Sequence, residues 1–336
     1  MSAASEERPG PLPERVLLVR LGAIGDVTNA LLVAGAIRAQ APGTRIGWVV
    51  HELARPLVEG NPAVDRVHRW DKRAGFAGLR AVVREIRDAR YDLAVDLQRI
   101  AKSAFLARAS GARRVLGFDR ARSKEGAWLL AKERTRPGRA DDHVVEQYRD
   151  VIAALGLRPE LPTHPLPSDP AATGRVQDLL SDWGGAPVLV NLGASKPENR
   201  WGGEAFAALA RGLAERGRGP VVLTGGPDDR ATFAQTLEAV ADRDGVHDLV
   251  GRTNLLELAE LARGARAMVS CDTGPMHLAA AVGCRVVALF GPANPDRTGP
   301  WGEGHRVLRA EPAGGLRAMS GLAVEPVLAA VESLLA

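Results

Sequence analysis

The sequence is poor in cysteine, in aromatic residues and in long apolar runs. Two cysteines in 336 residues, Cys271 and Cys284, cannot build a disulfide framework or a four-ligand metal site. Both fall in strand-like or helix-end apolar settings, as small buried hydrophobes do in a reducing compartment. Aromatics make up 4% of the chain, which argues against a stacking platform for nucleic acid. No apolar run reaches the roughly 18 residues of a transmembrane helix. The net charge is +4, yet no Lys/Arg block is long enough to form a basic tail. That surplus fits anionic substrates or an anionic membrane surface. Residues 1–13 lack an apolar core, so they read as a disordered tail and not as a signal peptide. The expected location is the cytoplasm.

What is present is a packed, soluble composition with 46% hydrophobic residues and a repeating βα rhythm. Strand-like runs at Val16–Arg20, Arg45–Val50, Val64–Arg69 and Leu93–Leu97 alternate with helical stretches at Asp26–Gln40, Glu52–Gly60 and Gly75–Ala89. A further helix is expected at Asp142–Leu155. The rhythm restarts with strands at Val188–Leu192, Val221–Thr224, Ala267–Ser270 and Val286–Phe290, and with helices between them. Alternation of this kind predicts α/β architecture with parallel sheets. The expected boundaries are 14–157 for one Rossmann-like domain, 158–170 for a Pro-rich linker, and 171–318 for a second such domain. A C-terminal helix over 319–336 is expected to pack back on the first domain. Two facing Rossmann-like domains would bind ligands beyond the carboxyl ends of their strands.

Three strand-to-helix corners carry the polar chemistry. The first is Arg20-Leu-Gly-Ala-Ile-Gly-Asp26. Gly22 and Gly25 would allow a tight turn, and Asp26 stands at the start of the helix. Asp26 is either a helix cap or a general base. Neither G-x-G-x-x-G nor a Walker lysine motif is present, which disfavours a nicotinamide oxidoreductase. The second corner, Asn191-Leu-Gly-Ala-Ser-Lys-Pro-Glu-Asn-Arg-Trp201, offers backbone N–H groups with Lys196 and Arg200. It is either a diphosphate clamp or an ordinary solvated loop. A loop at Thr224-Gly225-Gly226-Pro-Asp228-Asp229-Arg230 follows another strand. The third corner, Ser270-Cys-Asp272-Thr273-Gly274-Pro-Met-His277, places polar groups at a helix N-terminus, suited to a phosphate or to sugar hydroxyls. Asp-Thr-Gly also occurs in aspartic proteases, but those need two such loops in an all-β setting. Asp242-Arg243-Asp244 spells D-x-D and reads as a solvated turn. His51-Glu52 lacks a second histidine at helical spacing, so no metal site is expected.

From about Arg15 to Arg309 the chain resembles the heptosyltransferases of lipopolysaccharide core synthesis, glycosyltransferases of the GT-B class. The motifs are Leu21-Gly-Ala-Ile-Gly-Asp-Val27, Gly193-Ala-Ser-Lys-Pro-Glu-Asn-Arg-Trp201, Leu249-Val-Gly-Arg-Thr-Asn-Leu255, Ser270-Cys-Asp-Thr-Gly-Pro-Met-His-Leu-Ala-Ala280 and Phe290-Gly-Pro-Ala-Asn-Pro295. The resemblance implies Asp26 as catalytic base. It implies nucleotide-sugar contacts at Ala194, Ser195, Gly225, Gly226, Thr253, Asp272, Thr273, Gly274 and His277, and a ribose-contacting acid at Asp228 or Asp229. Acceptor contacts are implied at Gly22, Gly25, Lys102 and Arg122. Many members carry lysine where this chain has Asn199, so the diphosphate cation must come from Lys196 or Arg200. Gly202 replaces a proline common in the family. Asp96-Leu-Gln98 resembles the enzyme that adds the first heptose.

The resulting expectation is an inverting, metal-independent heptosyltransferase without cofactor. It would use an ADP-heptose donor and a Kdo-lipid A type acceptor. It would be a monomer, without nucleic-acid partners, in transient contact with the inner face of the cytoplasmic membrane. The alternatives are a related glycosyltransferase with another donor or acceptor, and a non-catalytic binder of sugar nucleotides or glycolipids. Retention of Asp26 weighs against the binder, which has no use for a base.

Overall fold

The computed structural model describes residues 12–336 except Ser195, Asp242 and residues 313–316. The chain divides into an N-terminal unit ending at Pro167 and a C-terminal unit beginning at Ser168. The N-terminal unit contains strands β1 (Arg15–Val19), β2 (Arg45–Val50), β3 (Arg66–Arg69), β4 (Leu93–Asp96), β5 (Arg114–Gly117) and β6 (Glu133–Arg134). They form one parallel sheet in the order β3-β2-β1-β4-β5-β6. Its α-helices are α1 (Ile24–Gln40), α2 (Gly75–Asp88), α3 (Ala101–Ala109) and α4 (Val144–Ala154). β1 and β4 are apolar almost throughout because both faces of a central parallel strand are covered. The helix α1 is buried along most of its length and packs against α4.

The expected linker is not a free spacer. Its first part lies on the N-terminal unit. Gln40 and Arg158 exchange two hydrogen bonds, Nε2 to the Arg158 carbonyl at 2.9 Å and the Arg158 N–H to Oε1 at 2.8 Å. Asn61 Nδ2 donates to the Pro165 carbonyl at 2.8 Å, and Pro162 and Pro165 close over Gly35 of α1. Proline favours such an extended strap because it lacks an N–H that would need a partner.

The C-terminal unit repeats the plan. After α5 (Pro170–Asp182) come β7 (Val188–Asn191), α6 (Gly203–Glu215), β8 (Val221–Thr224), α7 (Pro227–Thr232), α8 (Ala234–Glu238), β9 (Val246–Asp248), α9 (Leu255–Gly264), β10 (Ala267–Cys271), α10 (Gly274–Ala281), β11 (Val286–Phe290), α11 (Pro295–Thr298), β12 (Arg306–Arg309) and α12 (Val324–Leu335). The parallel sheet runs β12-β11-β10-β7-β8-β9. Here the expectation for the last helix is corrected. Val327, Leu328, Val331 and Leu334 of α12 enter the C-terminal core beside Leu209 and Leu213 of α6. Ion pairs Arg216–Glu325 at 2.9 Å and Arg218–Glu332 at 3.1 Å flank that seam. The apolar face of α12 is therefore buried in its own unit. Among the described residues, no helix is long and apolar enough to cross a membrane.

Candidate active site

In each sheet the strand order reverses once, between β1 and β4 and between β7 and β10. Loops that leave the carboxyl ends of two such strands diverge and open a crevice, the usual ligand position in doubly wound sheets. The predicted corners fall at these two points.

In the N-terminal unit, Arg20 directly follows β1 and its side chain is 4% exposed. Its Nη1 donates to the Leu97 carbonyl at 3.0 Å, and its Nη2 is ion-paired with Asp26. Burial works against the Arg20 charge, but Asp26, Tyr148 and Asp96 outweigh it and raise the guanidinium pKa. Asp96, at the end of β4, is buried, and burial raises its pKa despite hydrogen bonds from Ser103 and from the N–H groups of Gln98 and Arg99. Asp26 differs in that its side chain is 42% exposed. Of the two acids at this corner, only Asp26 can meet a proton arriving from outside. It is not the N-cap, which is Ala23. It is the third helical residue and accepts a long 3.4 Å hydrogen bond from the Ala23 N–H. Its carboxylate is held by the buried guanidinium of Arg20. Arg20 was not singled out in the sequence, although a charge immediately after a buried strand is a readable sign.

Gly22 and Gly25 do not serve as left-handed turn residues. Neither has a positive φ, and Gly25 lies inside α1. The space a side chain on Gly22 would occupy is empty, and Gly22 borders a cavity of about 530 Å³. His51, Trp70, Lys72 and Arg73 form its other walls. His51 Nδ1 lies 2.8 Å from the Trp70 carbonyl oxygen, and Lys102 Nζ sits 5.5 Å from the Trp70 ring centroid. Lys102 is exposed beside this cavity wall. Arg122 is not. It is 1% exposed and pairs with Asp119 and with Asp150 at 2.6 Å. It also donates to Thr135 Oγ1 at 2.9 Å and to the Arg136 carbonyl. Its donors are engaged inside the unit, which corrects its expected role as an acceptor contact. The exposed cations of that loop are Arg120 and Lys124.

The C-terminal corner is built differently. Asn191 and Thr224 end β7 and β8, Ser270 is next to last in the adjacent β10, and all three are fully buried. Asn191 Nδ2 donates to the Gly193 carbonyl at 3.1 Å and to Ser270 Oγ at 3.3 Å, and Thr224 Oγ1 lies 3.5 Å from Asn191 Oδ1. This uncharged network fixes where the loops depart; a polar residue at or next to the end of each apolar strand was its overlooked signal. A Cβ at Gly193 would run into the Asp229 carboxylate and push it aside. Asp229 Oδ2 accepts from the Gly226 N–H at 2.8 Å, while Asp228 points to solvent. Of the two candidate acids, Asp229 therefore sits at the junction of two loops. The Gly251 N–H donates to the Gly225 carbonyl at 2.9 Å with φ of +70°, bringing the segment before Thr253 to the same place.

At β10 the chain passes through Asp272 and Thr273 into α10. Thr273 is the N-cap, but its hydroxyl makes no capping hydrogen bond. The helix dipole and its first N–H groups thus stand at the reversal point without a side-chain cap. His277, on the first turn and a half, is 8% exposed. Cys271, beside them, is inert: burial pushes its thiol up to about 12, and Cys284 behaves likewise.

The residues of the expected clamp separate. Ala194 and Asn199 are each 8% exposed, and Lys196 is exposed on the loop. Ser195 lies outside the described residues. Arg200 is half-buried with its Nε unpartnered, and it lines a cavity of about 810 Å³ with Arg211 of α6 and Thr236 of α8. Trp201 is a core residue; its Nε1 donates to the Leu322 carbonyl at 2.9 Å. Asp242 also lies outside the described residues, and Asp244 is exposed. Among the described residues, no group of three His, Cys, Asp or Glu side chains could hold a metal ion.

Residues 79–316 match the profile of glycosyltransferase family 9 (heptosyltransferase). The chain belongs to glycosyltransferase family 9. It is 33% identical over 302 residues to lipopolysaccharide heptosyltransferase 1 of Pseudomonas aeruginosa, covering 86% of this chain and 81% of that one. Among solved structures, a family 9 glycosyltransferase from Veillonella parvula superposes with a TM-score of 0.84 at 26% identity, covering 96% and 97% of the two chains. The Escherichia coli heptosyltransferase WaaC with ADP gives 0.78 at 25% identity, covering 95% and 99%. The fold class of this family 9 glycosyltransferase is accordingly GT-B, with one Rossmann-like sheet in each unit.

Proposed function

We propose that this glycosyltransferase moves a heptosyl group from ADP-heptose to a hydroxyl of a Kdo-bearing lipid A type acceptor, as the first heptose of the inner core. The observation that carries the proposal is the pairing of half-exposed Asp26 with buried Arg20 at the reversal point of one sheet. Asp26 takes the proton of the acceptor hydroxyl as its oxygen attacks the anomeric carbon. The bond from that carbon to the diphosphate oxygen breaks on the opposite face, so configuration inverts in one displacement and ADP departs. The diphosphate charge is met by Lys196 and by the N-terminus of α10 beside Asp272 and Thr273. Ala194, Ser195, Gly225, Gly226, Asp229, Thr253, Gly274 and His277 hold the nucleotide sugar. Lys102 and the cavity bordered by Gly22 receive the acceptor. No metal takes part, and the chain works as a monomer at the inner face of the cytoplasmic membrane.

The likeness to the Escherichia coli heptosyltransferase WaaC, solved with ADP and with ADP-2-deoxy-2-fluoro heptose, supports the donor. The likeness to a heptosyltransferase 1 supports the order of addition. The test is incubation with ADP-heptose and Kdo-lipid A, with product read by mass, in the presence and absence of EDTA. One added heptose, formed equally in EDTA, is the expected result. ADP binding without any product would point instead to a non-catalytic binder, and loss in EDTA reversed by a divalent ion would overturn the metal-free step.

A further inference from the structure

Buried helices show solvent their charged face, but the outer face of α3 is mixed. Its exposed residues are Lys102, Phe105 and Arg108, three apart and therefore on one stripe. Phe105 is 47% exposed. The helix packs against the turn at Ala127–Leu129, where Leu129 is 66% exposed. Next to Leu129, Trp128 is only partly buried, and the guanidinium groups of Arg120 and Arg134 each lie 5.3 Å from its ring centroid. Arg134 Nε also donates to the Trp128 carbonyl at 3.2 Å. The ring thus holds two exposed arginines beside an exposed leucine. Of the nearby acids, Glu133 is paired with Arg114 at 2.8 Å, and Glu125, which accepts from the Ala101 N–H at 3.2 Å, sets one negative charge against those of Arg120 and Arg134.

Exposed apolar side chains ringed by arginines, with an indole between them, match the interfacial layer of a bilayer. The apolar groups enter the acyl boundary, tryptophan prefers the headgroup level, and the cations meet lipid phosphates. A protein interface also enriches tryptophan and arginine but keeps charge out of its core, whereas here two guanidinium groups lie against the indole itself. We infer that the surface formed by Phe105, Trp128, Leu129, Arg120 and Arg134 docks the chain on an anionic phospholipid bilayer. The inference rests on the proposed membrane-borne acceptor and names the surface that would bring the enzyme to it. None of these five residues belongs to the machinery assigned to Asp26 or to the donor.

The experiment is co-sedimentation of the full chain with vesicles of phosphatidylcholine, alone or with roughly one third phosphatidylglycerol. The unaltered chain should pellet with the anionic vesicles and stay in solution with the neutral ones. Arg120→Gln/Arg134→Gln should weaken partition roughly fivefold for each arginine. Phe105→Ser/Leu129→Ser should weaken it on the order of tenfold. Val307→Ser, at an exposed apolar position of the C-terminal unit, should change nothing. Turnover of a water-soluble Kdo acceptor should be unaltered in both double variants. Partition of the double variants equal to that of the unaltered chain, or no preference for anionic vesicles, would overturn the inference. So would loss of turnover on the soluble acceptor, because the patch would then belong to the acceptor site. A chain that pellets as expected but glycosylates no acceptor would leave the docking surface standing and sink the proposed function.

Discussion

The two units share one strand order, and each puts its chemistry where that order reverses, yet they build those places from opposite materials. The N-terminal corner is made of side-chain charge: Arg20, Asp26 and Asp96 gather within two loops, where neighbouring acids raise the Arg20 pKa and burial raises that of Asp96. The C-terminal corner is made of backbone and uncharged side chains: glycines, a helix start that its N-cap Thr273 leaves unbonded, and a network of Asn191, Thr224 and Ser270. The contrast follows from the tasks. Moving a proton needs a titratable group whose charge is held in place. Holding a diphosphate needs several N–H donors that keep their charge state at every pH. One fold serves both because topology fixes only the position of the loops, and the loop residues fix the chemistry.

The largest effect should come from removing the charge at the first corner. Asp26→Asn keeps the size of the side chain and should lower turnover roughly 100- to 10,000-fold, with the fold intact and the thermal midpoint lowered by loss of the charge partner of buried Arg20. Near-normal turnover at saturating substrate would reduce Asp26 to a helix-start residue. At the second corner, Asp272→Ala and His277→Ala should each weaken ADP binding by roughly 1–3 kcal/mol, measured by calorimetry. Raised acceptor KM with unchanged ADP affinity would exchange the roles of the two units.

Gly193→Ala is a direct probe of the backbone reading. The new methyl would displace the Asp229 carboxylate from its bond to the Gly226 N–H. Loss of that helix-start contact should cost about 1 kcal/mol of stability and loosen ADP a few-fold; an alanine variant indistinguishable in both would show that the loops do not depend on this approach. The smallest effect concerns the cations. Lys196→Ala should weaken ADP binding by about 1 kcal/mol, as expected for an exposed charge contact. Arg200→Ala should do less to ADP and more to the thermal midpoint, because Arg200 faces the space between α6 and α8. The reverse ranking would return Arg200 to the clamp.

Much of this was legible in the chain. The alternation of apolar runs with helical stretches predicts both sheets, and glycine-rich corners after strands predict where ligands bind. Short edge strands such as Glu133–Arg134 and Val246–Asp248 left no periodic trace, since two or three residues cannot show an alternation. The prolines of 158–170 read as a spacer because sequence shows their stiffness but not the surface of α1 that receives Pro162 and Pro165. Arg122 was misassigned for a related reason. A cation near a predicted site looks available until its partners are known, and Asp119 and Asp150 come from different parts of the chain. The first of these lies three residues away and the second is on α4. Arg20 stood in a readable place, directly after a buried strand, but only folding brings its partners Leu97, Asp96 and Tyr148 to it.

The separation of proton transfer from donor binding is tested most directly by measuring ADP affinity and turnover together in Asp26→Asn and in Asp272→Ala. The first should bind ADP as tightly as the unaltered chain while losing at least about a hundredfold in turnover. The second should lose ADP affinity, and its turnover at saturating donor should fall far less. If Asp26→Asn loosened ADP as much as Asp272→Ala does, or if it kept its turnover, the two corners would not divide the reaction between charge and backbone.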